Sequence, residues 1–196
     1  MATGGSESRP TGKVIDLDFT GVFKLSDLKP VPPPPPPLRI PENILIGKKA
    51  LLEGNCFVNV ARPRPARTVD PKKTTILLVE DDLPTLNMLD LLLTRAGGYQ
   101  TRRAQDVQSF VQAIQKQPLV DAAILDVNLP GNVSGFKILA KIRGHPALRH
   151  LPVIMLSGHA APEYLMQGLS LGADAYLSKP AKSQAIFEAI KTVLGG

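Results

Sequence analysis

From Thr74 onward the sequence predicts an α/β fold, a parallel β-sheet with helices on both faces. Three observations predict it. Apolar runs of four to six residues, too short for helices, alternate with longer segments whose apolar residues recur at helical spacing. Five such strand–helix units fit into about 120 residues, the size of one domain. The strands end in polar residues, and the carboxyl edge of an open parallel sheet is where such folds place their ligands.

The elements follow in order. Thr75-Ile-Leu-Leu-Val-Glu80 is the first strand. Asp82 caps the next helix, with Pro84 in its first turn; Leu86, Leu89, Leu92 and Leu93 form its inner stripe, and Gly97-Gly98 ends it. Residues 99–103 form a short second strand. A helix over 106–116 carries Val107, Phe110, Val111 and Ile114 on one face, and Pro118 stops it. Residues 120–126 are a buried strand ending on Asp126, and Pro130-Gly131-Asn132 turns the chain. A helix over 134–143, a strand over 152–157, a helix over 162–171, a strand over 174–178 and a helix over 182–194 complete the pattern. Right-handed crossovers place the helices on both faces of the sheet.

Residues 1–73 read differently, as a largely irregular, Pro-rich N-terminal extension preceding a domain over 74–196. Twelve of the nineteen prolines lie there, six of them consecutive at 32–37, which favours extended polyproline II over helix or sheet. That run reads as a stiff spacer, with docking to an aromatic groove as the alternative. Two segments, 14–28 and 43–60, hold enough apolar residues to order locally, the second as a hairpin or packed on the following domain. The extension carries twelve Lys/Arg against seven Asp/Glu, or +5 of the chain's +6. With only Phe19, Phe23 and Phe57 as aromatics it reads as a solvated arm, and nucleic acid is not among the expected partners. No apolar run is long enough to span a membrane and no signal peptide opens the chain. The single cysteine, Cys56, excludes an internal disulfide and fits a cytoplasmic location.

The chemistry gathers at strand ends. Glu80, Asp81 and Asp82 follow the first strand, Asp126 ends the third, Ser157 ends the fourth and Lys179 follows the fifth. Each alone is explained as a helix cap or a solvated loop residue. Together, on one edge of a parallel sheet, they converge. Crowded carboxylates raise one another's proton affinity or bind a cation, and an all-oxygen site with few protein ligands suits Mg2+. A carboxylate can accept a phosphoryl group, with Lys179 as a point charge and Ser157 as a hydroxyl donor to its oxygens.

Leu77-Leu-Val-Glu-Asp-Asp82, Leu125-Asp-Val-Asn-Leu-Pro130, Met155-Leu-Ser-Gly158 and Tyr176-Leu-Ser-Lys-Pro180 resemble, in order and spacing, the motifs of receiver (CheY-like) domains of two-component response regulators. The resemblance spans about Thr74 to Leu194. It implies a doubly wound (βα)5, flavodoxin-like fold with a five-stranded parallel sheet of order 2-1-3-4-5. It further implies that Asp126 is the phosphoacceptor in a Mg2+-dependent step. The metal is held by Glu80, Asp81, Asp126 and the backbone carbonyl of Asn128, with Asp81 a direct ligand. Ser157 and Lys179 bind the phosphoryl group, Ser157 and Tyr176 form the switch, and the Lys179–Pro180 bond is cis. Gly158, beside the hydroxyl, leaves access to Asp126. The implied donor is a histidine kinase or phosphotransfer protein. The implied readout is a downstream protein on the face built by 162–171, 174–178 and 182–194. Catalysis beyond self-phosphorylation and autodephosphorylation at Asp126 is not expected.

The sequence departs from the family at three places. The 130–135 turn is one residue longer than usual. Ala181 stands where an aromatic is common. His159 occupies a position that tunes phosphoryl lifetime in the family and reads here as a solvated loop residue. Two other functions compete. One is an interaction module that works without phosphorylation, which the complete set Asp81, Asp126, Ser157 and Lys179 argues against. The other is a phosphatase with an aspartyl nucleophile, which needs a second acid where Asn128 stands. The chain ends at Gly196, soon after the last helix, so readout is expected through a partner, the N-terminal extension or self-association.

Overall fold

A computed structural model describes residues 56–59, 62, 65–66, 68–131, 133–158 and 161–196. The proline run, the segment 14–28, residues 43–55 and His159 lie outside the described residues. The strands are β1 (Cys56–Val58), β2 (Thr75–Val79), β3 (Gln100–Ala104), β4 (Ala122–Asp126), β5 (Asn128–Leu129), β6 (Val133–Ser134), β7 (Val153–Ser157) and β8 (Ala175–Ser178). The helices are α1 (Leu83–Leu91), α2 (Val107–Gln115), α3 (Gly135–Gly144), α4 (Pro162–Ser170) and α5 (Ser183–Val193).

Five strands form a parallel sheet in the order β3-β2-β4-β7-β8, the expected 2-1-3-4-5 arrangement read along the chain. Side chains alternate across it. Leu77, Val79, Ala123, Leu125, Val153, Met155 and Tyr176 face α2, α3 and α4. Ile76, Leu78, Ile124, Ile154, Leu156 and Leu177 face α1 and α5. Both faces are covered, so the central strands β2, β4 and β7 are buried at every residue.

The caps follow the local sequence. Asp82 accepts from the Thr85 backbone N–H at the start of α1, and Asp106 forms a capping box with Ser109 on α2. Beyond Leu91 helix α1 widens into a π-turn over Leu92–Ala96, and Gly98, at φ +70°, turns the chain into β3. The long turn after β4 folds as a miniature ribbon, β5 against β6, with Gly131 at φ +74° between them.

The sheet also holds a sixth strand. β1 pairs antiparallel with β8, Phe57 opposite Tyr176. The described end of the 43–60 segment therefore packs on the following domain, one of the two arrangements expected for it, and contributes a strand to the sheet along the outer edge of β8. Three residues give too short a period to be read as a strand. The edge pairing supplies their backbone partners, and burial of Cys56 against the α5 side anchors them. Asn59 fastens the end of the strand: its side-chain amide donates to the carbonyls of Leu169 (3.0 Å) and Ala173 (2.9 Å).

Candidate functional site

The carboxyl ends of β2 and β4 bring three acids together. Glu80 follows β2, its backbone N–H held by the Ala104 carbonyl of β3 (3.0 Å), and Asp81 comes next. Asp126 is the last residue of β4. Carboxylate oxygens of Glu80, Asp81 and Asp126 lie within 4.8 Å of one another. Glu80 is 2% exposed and Asp126 4%, whereas Asp81 is open to solvent. Asp82, the third acid of the run, turns away to cap α1, and its hydrogen bonds with Thr85 lower its pKa.

Among the described residues, Lys179 supplies the positive charge paired with these acids. The β7–β8 register places Ser157 opposite Ser178, and the Lys179 N–H donates to the Ser157 carbonyl. The cis Lys179–Pro180 bond follows, as the motif predicts. Nζ donates to Glu80 Oε2 at 2.6 Å and lies 3.1 Å from Asp126 Oδ1. The second approach is an ion pair out of line for a hydrogen bond, so Oδ1 is buried without a hydrogen-bond partner. One ammonium thus serves two buried acids. Desolvation, with repulsion between the acids, raises the pKa of both Asp126 and Glu80 despite Lys179. Burial disfavours the Lys179 ammonium, but the Glu80 hydrogen bond and the charges of Asp126 and Glu80 outweigh it and raise its pKa.

Two buried carboxylates and one exposed carboxylate sharing a single ammonium fit a hard divalent cation. Such an ion takes oxygen ligands and retains water, so it would relieve the repulsion that Lys179 leaves. Asn128 is exposed beside this cluster, on β5.

Ser157 and Tyr176 lie farther in, both fully buried, with the Ser157 hydroxyl hydrogen-bonded to the Tyr176 phenol. Burial pushes the Tyr176 phenol up to about 12. Two supporting glycines were not singled out in the sequence. A Cβ on Gly135 would stand 2.0 Å from the Asp126 carbonyl oxygen, so only glycine lets the start of α3 close onto the end of β4. A Cβ on Gly168 of α4 would meet the Tyr176 ring at 3.0 Å. The signal available for Gly135 was its place directly after a capping Ser134; for Gly168, in mid-helix, there was none.

The response regulator receiver domain family matches residues 76–191. The chain belongs to that family. Among curated relatives, the transcriptional regulatory protein GltR of Pseudomonas aeruginosa is 38% identical over 120 residues, covering 61% of this chain and 48% of GltR. The phosphate regulon transcriptional regulatory protein PhoB of Escherichia coli is 34% identical over 119 residues, 61% of this chain and 51% of PhoB. The chain therefore spans about half the length of these relatives. Among solved structures, a CheY-like receiver domain protein from Methanospirillum hungatei superimposes with a TM-score of 0.54 at 29% identity, covering 62% of this chain and 93% of that one. The receiver domain of a signal transduction histidine kinase from Syntrophus aciditrophicus gives 0.56 at 30%, covering 63% and 91%. These comparisons agree with the flavodoxin-like sheet. Among the described residues no helix is long and apolar enough to cross a membrane.

Proposed function

We propose that this protein is a phosphoacceptor of a two-component or phosphorelay system, with Asp126 as the accepting group. The observation that carries the reading is the clustering of the buried Asp126 carboxylate with Glu80 and Asp81, with the Lys179 ammonium 3.1 Å from Asp126 Oδ1. A carboxylate oxygen of Asp126 attacks phosphorus, the donor's bond to phosphorus breaks, and an acyl phosphate results. Lys179 releases part of its hold on Glu80 and Asp126 to pair with the new phosphoryl oxygens. Ser157 turns its hydroxyl to donate to one of them. Glu80, Asp81, Asp126 and the Asn128 carbonyl would hold Mg2+, which when bound offsets charge between the acids and an anionic donor. Asn128 provides no proton-transferring acid, which favours a held phosphate over turnover of phosphate esters.

The donor is a histidine kinase or a phosphotransfer protein, the setting is cytoplasmic, and the chemistry stops at self-phosphorylation and autodephosphorylation. The receiver unit runs over 74–196, with β1 added from the preceding segment. The relatives named as transcriptional regulators leave DNA as a target of whole proteins of that kind. For this chain the proposed reader is a protein.

Incubation with acetyl phosphate and Mg2+, followed by intact mass and peptide mapping, tests the reading. One added phosphoryl group on Asp126, absent without Mg2+ and absent in Asp126→Asn, is the expected result. An unmodified chain, or modification that persists in Asp126→Asn, refutes it.

A further inference from the structure

β1 lies against the part of the molecule that connects to Asp126. Phe57 is the ladder partner of Tyr176, and opposite residues of an antiparallel pair project from the same face about 5 Å apart. Both join the core on the α2–α4 side, Phe57 at its margin and Tyr176 fully enclosed. Tyr176 holds Ser157 through their hydroxyls. Ser157 directly follows Leu156, the ladder partner of Asp126. Gly168 leaves the Tyr176 ring its space from the α4 side. A short chain of neighbours thus leads from Asp126, across the ladder and one residue along β7, to Ser157, then to Tyr176 and Phe57.

The strand is built into its place. Besides the ladder, the Asn59 N–H donates to the Asp174 carbonyl (2.9 Å) and its amide to the carbonyls of Leu169 and Ala173. Arg62 pairs with the buried Asp174 carboxylate at 3.2 Å and donates to the Arg149 carbonyl at 3.1 Å. These contacts tie β1 to the end of α4 and the start of β8.

We propose that β1 is a latch coupled to the switch: docking of Cys56–Asn59 on the β8 edge and phosphorylation of Asp126 favour one another through Phe57, Tyr176 and Ser157. This rests on Asp126 being the phosphoacceptor. The sign follows from hydroxyl chemistry. Ser157 has one O–H and two acceptor lone pairs. When that O–H turns to a phosphoryl oxygen, a lone pair of the same oxygen accepts from the Tyr176 phenol, and each bond polarises the other. This relay needs the phenol held inward, and Phe57 stands across the ladder from Tyr176 on the same face. With β1 undocked, the outer side of Tyr176 meets solvent and the relay loses its fixed end. Coupling between two sites is reciprocal, so phosphate on Asp126 tightens the strand by the factor by which the strand stabilises the phosphorylated state.

Cys56 makes the proposal measurable. It is the only cysteine of the chain, it lies in β1 and it is fully buried, so its reaction with a disulfide reagent reports opening of the strand. The full chain is labelled with and without acetyl phosphate and Mg2+, with phosphorylation followed by intact mass in the same samples. Phosphorylation is expected to slow labelling on the order of tenfold, within the usual span of coupling between sites. In Phe57→Ala the chain still takes phosphate, but the labelling rate no longer depends on it, and the aspartyl phosphate decays sooner. A phosphorylated parent chain whose Cys56 reacts as fast as before, or faster, overturns the latch and leaves the phosphoacceptor reading standing. No added phosphoryl group overturns both. Slowing that also occurs in Asp126→Asn, or that depends on protein concentration, assigns the effect to the donor or to a second copy and overturns the latch as well. The parent-chain comparison decides without any variant.

Discussion

At the scale of single residues, the site is a place where folding and function oppose one another. Asp126 is buried with one oxygen lacking a hydrogen bond, beside another buried acid and a single shared ammonium. Taking two carboxylates out of water is costly, and a single shared ammonium offsets that only in part. Asp126→Asn removes the repulsion and leaves Lys179 to Glu80 alone. Its chemical denaturation at neutral pH is expected to show a gain of about 1–2 kcal/mol over the parent. The pH dependence has a definite sign. Asp126 and Glu80 have pKa values raised in the folded chain, so below the ordinary carboxylate range both states are protonated and the fold carries no penalty. As pH rises the unfolded chain ionises first, and stability declines until the raised folded values have been passed. Metal-free urea titrations across mildly acid to neutral pH should show this decline in the parent and less of it in Asp126→Asn. An unchanged or lower midpoint for the variant at neutral pH would mean that the Asp126 charge stabilises the fold.

At the scale of elements, what could be read from sequence was what has a long enough period. Four of the parallel strands and the five helices repeat an apolar spacing over several residues, β3 (Gln100-Thr-Arg-Arg-Ala104) being the exception, and the strand-end residues Glu80, Asp81, Asp126, Ser157 and Lys179 fall where that register puts them. Asp82, Asp106 and Ser134 cap helices through the local hydrogen bonds their short side chains allow. For β1 the sequence offered an apolar segment, 43–60, that could form a hairpin or pack on the domain, but not the pairing with β8. The strand's existence depends on a partner more than a hundred residues away, and the sequence of three residues holds no record of that partner. Gly168 was invisible for a similar reason: the Tyr176 and Phe136 rings it makes room for come close only in the folded chain. Asn59 shows the same tertiary dependence in energetic form. Asn59→Ala would leave the buried carbonyls of Leu169 and Ala173 without their side-chain donor, at about 1–3 kcal/mol. Because the loss falls on an edge strand, it should appear as local opening. Cys56, whose thiol burial pushes up to about 12, is expected to react with a disulfide reagent at least about tenfold faster in this variant. An unaltered rate would show that the ladder and Arg62 hold the strand without Asn59.

At the scale of the whole molecule, the two edges of the sheet are protected by different means. β3 carries Gln100, Arg102 and Arg103, and charges along an edge discourage pairing with another chain. β8, Ala175-Tyr-Leu-Ser178, has no charge and every residue buried, so its protection is β1 itself. A chain beginning at Thr68, which keeps Val69 in the core and lacks β1, exposes an apolar edge ready to pair. Sedimentation over a range of concentrations is expected to show this shortened chain associating where the full chain at equal concentration does not. Removing the preceding residues also removes most of the net positive charge, which by itself weakens repulsion between molecules. Salt separates the two causes. At about 1 M the Debye length falls to ~3 Å, and repulsion between molecules is screened in both chains. If the open edge drives association, the difference between the chains persists at that salt. If it disappears because the full chain now associates equally, lost charge explains the behaviour, and β1 does not guard the edge.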